Sequence, residues 1–102
     1  MIAPVITSVS LAPESVLLRE EDVIAQQVKE ETVMMSLETD RYYALDAVGT
    51  EVWALLEQPT SLTDLCAALR EIFDVEPGTC LREVSSLVET LIDEKLVRVV
   101  GP

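Results

Sequence analysis

Residues 31–53, ETVMMSLETDRYYALDAVGTEVW, hold the pattern on which the fold turns. Over 32–38 the side chains alternate. Val33, Met35 and Leu37 fall on one face of a period-two strand, and Thr32, Met34, Ser36 and Glu38 on the other. Thr39-Asp40 supplies a tight connection. Residues 41–45, Arg-Tyr-Tyr-Ala-Leu, then return as a strand in which Tyr42 and Tyr43 point to opposite faces, one free for the core and one for something outside it. Asp46 stands where a helix begins, because its carboxylate can accept the unpaired amides of a first turn. Val48, Val52, Leu55 and Leu56 follow at helical spacing, and Trp53 widens the stripe.

On the N-terminal side, residues 23–29 show weaker alternation and pair with 32–38 through a hairpin at Lys29-Glu30-Glu31, giving a three-stranded antiparallel sheet. Glu20-Glu21-Asp22 marks a solvated turn. Before it, Val16, Leu17 and Leu18 form a short apolar run that is either a strand or a lead into the next element. Residues 1–13 contain Pro4 and Pro13 and read as an arm with one irregular strand around 5–9. The expected division is therefore an N-terminal arm over 1–20 and a domain over 21–102.

On the C-terminal side, Gln58-Pro59 ends the first helix, and Ser61 caps a second with Asp64 three residues on. Leu62, Leu65, Cys66, Leu69, Ile72 and Phe73 form its stripe. The turn formers at 74–78, DVEPG, separate it from a third helix over 79–94. There Leu81, Val84, Leu87, Val88, Leu91 and Ile92 cover more than one narrow face, a surplus that implies a second contact. Residues 96–100, Leu-Val-Arg-Val-Val, read as a closing strand or wing. Three strands followed by three helices, the last two in a helix-turn-helix arrangement, is the order of a winged helix, so the expected class is α+β.

A chain of 102 residues, 49% hydrophobic, suits one domain with one core. Its 7 basic and 19 acidic residues give a net charge of −12, with no histidine. Nucleic-acid affinity rests on Lys and Arg at phosphates. The third helix sets Arg82 alone against Glu83, Glu89, Asp93 and Glu94, so no nucleic-acid partner is expected. No apolar run approaches the roughly 20 residues of a membrane span, and the start lacks the basic and apolar regions of a signal peptide. The expectation is a cytoplasmic protein without a membrane partner. Without histidine the commonest general base and metal ligand is missing. Gly49, Gly78 and Gly101 are scattered and make no phosphate loop, and Glu20-Glu21-Asp22 lacks the alternating ligands of a calcium site. Cys66 and Cys80 lie in separate predicted helices and read as buried, reduced thiols. Neither catalytic residues, nor a cofactor, nor a metal is expected.

The wording Arg41-Tyr42-Tyr43-Ala44-Leu45-Asp46-Ala47-Val48-Gly49-Thr50-Glu51-Val52-Trp53 resembles the central motif of the PqqD-like family, the small peptide-recognition domains of ribosomal peptide biosynthesis. The likeness continues through Pro-Thr-Ser-Leu at 59–62, Phe73-Asp74-Val75 and the closing segment 91–97. One departure is Lys95, where the family commonly has a Gly suited to a left-handed helix cap. The resemblance implies a non-catalytic protein that binds the leader segment of a precursor peptide. The leader adds as an antiparallel strand to the edge made by Arg41, Tyr42, Tyr43, Ala44 and Leu45, over a floor drawn from Val84, Leu87, Val88 and Leu91. It further implies delivery of the precursor to a leader peptidase or another modifying enzyme. The wording looks closest to the freestanding subunits of lasso-peptide biosynthesis. A peptide chaperone for a radical-SAM enzyme and an acidic winged-helix transcription regulator are the alternatives. The acidic third helix implies basic leader positions near Glu83 and Glu89. A monomer is expected, with dimerisation through the unpaired strand edge as the alternative.

Overall fold

The computed structural model describes residues 11–102, so the strand expected around residues 5–9 lies outside the described residues. The elements are β1 (Val16–Arg19), β2 (Val23–Val28), β3 (Glu31–Ser36), β4 (Tyr42–Leu45), α1 (Ala47–Leu55), β5 (Thr60–Ser61), α2 (Leu62–Ile72), α3 (Pro77–Asp93) and β6 (Val97–Gly101). The fold is α+β, with three helices and two antiparallel sheets, ordered β2-β3-β4 and β5-β1-β6.

The first sheet is the expected meander. Its turns place Lys29 and Asp40 in the left-handed region, both at φ 59°. At the second turn the Asp40 amide donates to the Ser36 carbonyl at 2.8 Å, and the Ser36 amide to the Arg41 carbonyl at 2.9 Å. The alternation of β3 is present, but with an unexpected sense. Its polar face is the inner one: Thr32, Met34 and Ser36 are 3%, 2% and 1% exposed, whereas Val33 and Leu37 are about half exposed. Buried hydroxyls are tolerable here because they are paired. Thr32 donates to Thr50 of α1 at 2.8 Å, and the Ser36 hydroxyl accepts the Thr39 amide at 3.2 Å. At the start of α1, a Cβ on Gly49 would sit 3.0 Å from the Leu45 Cβ, so glycine lets the helix pass close to β4.

The second sheet corrects the expected arm. Val16–Arg19 is a central strand that pairs with β5 on one side and β6 on the other, and Leu17 is fully buried. Its partners lie far along the chain, which is why a local apolar run could not decide between strand and lead-in. A bulge between Val16 and Leu17 brings Gly101 opposite Val16, where a Cβ would come within 2.9 Å of the valine.

The caps form as read. Asp46 accepts the Gly49 amide at 2.9 Å, and Ser61 accepts the Asp64 amide at 3.1 Å. α3 begins two residues before the expected Thr79, with Pro77 at its first position, where the missing amide costs nothing. Its end keeps the left-handed geometry that favours glycine. Lys95 has φ 63°, and the Leu96 amide reaches the Leu91 carbonyl at 2.8 Å.

One core gathers Leu17, Met34, Val52, Trp53, Leu56, Leu65, Leu69, Val88, Leu91 and Leu96, among others, from both sheets and all three helices. The stripe of α2 packs through Leu62, Leu65, Cys66 and Leu69, while Ile72 is half exposed. Cys66 and Cys80 meet between α2 and α3 as free, buried thiols, with Cys80 Sγ 3.8 Å from the Cys66 carbonyl. Burial, and then the neighbouring Cys80, push the Cys66 thiol up to about 11. Among the described residues no helix is long and apolar enough to cross a membrane.

Candidate functional site: a groove between β4 and α3

β4 is an edge of its sheet. Its register with β3 pairs Met35 with Tyr42, Met34 with Tyr43, Val33 with Ala44 and Thr32 with Leu45. Hydrogen-bonded and non-hydrogen-bonded pairs alternate along an antiparallel ladder. Because Ser36 and Arg41 are bonded, Tyr43 and Leu45 direct their amides and carbonyls to β3. Tyr42 and Ala44 direct theirs outward, to the open edge. That edge offers two donors and two acceptors.

Opposite it lies α3, running the other way. At one end the Glu94 carboxylate accepts from the Arg41 guanidinium at 3.0 Å and from the Tyr43 hydroxyl at 2.8 Å. At the other end Val48, just beyond β4, shares a cavity of about 190 Å³ with Leu69, Phe73, Val75, Cys80, Glu83, Val84 and Leu87. The four residues of β4 span roughly 13 Å at strand rise. The turns of α3 from Val84 to Glu94 span about 15 Å at helix rise, so the two walls match in length. At about 30 Å³ per water, the cavity has the room of roughly six waters, enough for one large apolar side chain.

The expected site residues divide by exposure. Arg41 and Ala44 are exposed, and Tyr43 is half-buried. Tyr42 is 75% exposed, but on the outward sheet face beside Ile24 and Val33. Leu45 is buried beneath the strand. On α3, Leu87 is half-buried at the cavity and Val84 lines it from below. Val88 and Leu91, at 0% and 3%, are packed into the core and offer no accessible surface to the groove. The helical period explains the split: Cys80, Val84, Val88 and Leu91 share the core-facing stripe, and Leu87 sits at its margin.

Sequence reading missed Phe73, Val75 and Val48 as lining, and Glu94 as the partner of Arg41. A signal existed for Glu94. A carboxylate at a helix C-terminus is opposed by the macrodipole, which raises the question of what neutralises it. Arg41 answers that, and the carboxylate in turn raises the arginine's affinity for its proton. For Val48 there was none, since its spacing also fits the α1 stripe, which is in fact carried by Gly49, Val52, Trp53 and Leu56.

A larger concavity, about 480 Å³, lies on the β2 side and is lined by Arg19, Glu20, Glu21, Trp53 and Glu57 among others. Arg19 covers the Trp53 ring at 5.1 Å and donates to its carbonyl at 3.1 Å. Its charged rim offers little apolar surface to bury. Among the described residues no group of three or more His, Cys, Asp or Glu is placed to hold a metal.

No curated protein matches the chain. Three solved structures resemble it in fold. TbiB1 in complex with the TbiA(β) leader peptide is 25% identical, with a TM-score of 0.75 over 83% of this chain and 99% of that one. Lasso peptide synthetase B1 complexed with its leader peptide is 17% identical, with a TM-score of 0.70 over 80% of this chain and 96% of that one. The PqqD truncation of Methylobacterium extorquens PqqCD, a stand-alone recognition element for ribosomally synthesised and post-translationally modified peptides, is 14% identical. Its TM-score is 0.72 over 87% of this chain and 95% of that one. The family model for coenzyme PQQ synthesis protein D, PqqD, matches residues 31–97. That match runs from the start of β3 to the first residue of β6 and takes in both walls of the groove, and the chain belongs to the PqqD family.

Proposed function

We propose that this protein binds the leader segment of a ribosomally made precursor peptide and delivers the precursor to a separate enzyme, itself doing no chemistry. The observation that carries the reading is the open β4 edge, tied to the end of α3 through Arg41, Tyr43 and Glu94, with an apolar cavity among α1, α2 and α3 beyond its far end, in a fold shared with TbiB1 and lasso peptide synthetase B1, both solved with leader peptides. The leader adds antiparallel to β4, exchanging main-chain bonds with Tyr42 and Ala44, and places one apolar side chain in the cavity at Leu87.

Magnitudes say why both parts are needed. Four main-chain bonds at a net of about 1 kcal/mol each fall short of the roughly 8 kcal/mol of micromolar binding. One apolar side chain buried in the cavity adds about 1.5–3 kcal/mol. The edge therefore orients the peptide, and the cavity selects it. A basic leader position near Glu83, which lines the cavity, complements that wall, whereas Glu89 lies about 200° around α3 from Leu87 and faces away from it.

Lasso-peptide biosynthesis, with a leader peptidase as the receiving enzyme, is the preferred pathway, in keeping with the fold shared with lasso peptide synthetase B1. The PqqD family match favours a second reading, a peptide chaperone for a radical-SAM enzyme. Against an acidic winged-helix regulator, the exposed Glu83 and Asp93 on α3 oppose contact with DNA phosphates. The test is a titration of isotope-labelled protein with the leader half of its precursor, followed by amide shifts. Shifts concentrated at 41–45 and 83–91 are expected. Their absence at high micromolar peptide overturns the reading.

A further inference from the structure

The outward face of the β2-β3-β4 sheet is apolar where a solvated sheet face is ordinarily polar. Register sets Ile24, Met35 and Tyr42 side by side in one cross-strand row and Gln26, Val33 and Ala44 in the next. Neither row contains a charge. Ile24 is 59% exposed, Val33 45% and Tyr42 75%, and Val28 extends the patch at 50%. Exposed apolar surface of this contiguity marks an interaction site.

Its perimeter says what kind. Around the two hairpin turns and the start of β2 stand Glu21, Asp22, Glu30, Glu31, Glu38 and Asp40, against Lys29, Arg41 and Lys95, the last paired with Glu38 at 3.5 Å. Arg41 is already committed to Glu94 at 3.0 Å. A second copy of this chain would bring one acidic rim against another, and an anionic membrane would be repelled likewise. The complementary occupant is a protein surface with an apolar centre ringed by Lys and Arg.

Position narrows it further. Tyr42 and Ala44 belong both to this face and to the open edge. A strand added to β4 would therefore continue the two apolar rows with its own outward side chains. Whatever docks on the face lies directly beside the bound peptide. Resting on the function proposed above, we infer that the outward face of the β2-β3-β4 sheet is the docking surface for the leader peptidase, through an apolar, basic-rimmed patch on that enzyme.

The experiment uses the full chain, its leader peptide and the purified leader peptidase encoded with the precursor. The variants are Ile24→Thr/Val33→Thr, which keeps β-forming side chains and touches no core residue, and Glu30→Lys/Glu31→Lys, which reverses the rim. Leader affinity is read by fluorescence polarisation, and peptidase affinity by biolayer interferometry with and without leader. The threonine variant is expected to weaken peptidase binding at least tenfold and the charge variant about threefold, with leader affinity held within twofold. Unchanged peptidase affinity in both variants, with leader binding intact, overturns the docking surface alone. A wild-type protein that binds no leader but loses peptidase binding on substitution overturns the leader role and supports the surface. Sedimentation showing a wild-type dimer that the threonine variant dissociates assigns the face to self-association and overturns the inference.

Discussion

Replacing Ala44 by proline tests the groove at the point where its logic is most specific. The amide of Ala44 faces away from β3, so proline at this position removes no bond within the sheet, and edge strands accept proline when its ring faces solvent. Ala44 is exposed and no core contact is lost, so the fold should lose less than about 1 kcal/mol. Leader binding should lose much more. One of four main-chain bonds disappears, at about 1 kcal/mol, and the leader carbonyl that faced the amide is left short of a donor, at about 1–3 kcal/mol. Together that is about 2–4 kcal/mol, and at 1.4 kcal/mol per factor of ten affinity should fall roughly 30- to 700-fold. Tyr43→Pro is the opposite control. Its amide bonds to β3 and its side chain is half-buried, so that variant should unfold at markedly lower denaturant. The assays are fluorescence polarisation with labelled leader, and chemical denaturation. Wild-type leader affinity in Ala44→Pro would refute strand addition at β4. Equal destabilisation by the two prolines would refute the assigned alternation.

The two apolar faces of α3 should separate in the same assays. Leu87→Ala should weaken leader binding about 5- to 30-fold with a smaller loss of stability, since Leu87 packs only at the margin of the core, whereas Leu91→Ala should cost about 2–5 kcal/mol of stability and leave the affinity of the folded fraction intact. Lys95→Gly should stabilise the protein by up to about 1 kcal/mol in denaturant titrations, since it relieves a left-handed side chain and forfeits only the exposed ion pair with Glu38 at 3.5 Å. Thr50→Val should cost about 1–3 kcal/mol by orphaning the buried Thr32 hydroxyl, and adding Thr32→Val should recover most of it. The folded state raises the Cys66 thiol from an ordinary value of 9.0 to about 11, so it keeps a proton that the unfolded chain gives up. Stability should be full below pH 9, fall as the pH rises toward 11, and fall less steeply in Cys66→Ala.

The starts of α1 and α2 were legible in the sequence because capping is local, whereas α3 has no side-chain cap and begins two residues early. Asp46 and Ser61 each bind an amide three residues on, a relation that spacing alone encodes. β1 was not legible, because what makes Val16–Arg19 a strand is β5 and β6, and what makes Leu17 core is a fold already assembled. α3 was legible as a helix with too many apolar positions. Which of them faced outward depended on the rotation that the Cys80, Val84, Val88 and Leu91 stripe imposes, and a shift of one residue along a helix moves a side chain by about 100°.

β3 carries the most consequential ambiguity, since period two fixes the faces but not their sense. A bulkier inner face would have held α1 away. Thr32 and Ser36 instead satisfy their hydroxyls on Thr50 and on the turn amide, and so allow the sheet to close on the helix. Val33 and Met35, the residues a hydrophobicity rule would bury, are thereby turned outward into the two rows that end at Ala44 and Tyr42 on the open edge. The same choice of sense orients Tyr43 toward Glu94 and α3. One choice of sense, supported by the hydrogen bonds of Thr32 and Ser36 and by the burial of Met34, thus gives the sheet an outward apolar face and gives the groove its polar end. Reversing it, by making residues 32 and 36 large and apolar, should displace α1 and abolish leader binding together, even though no residue of the β4 edge would have changed.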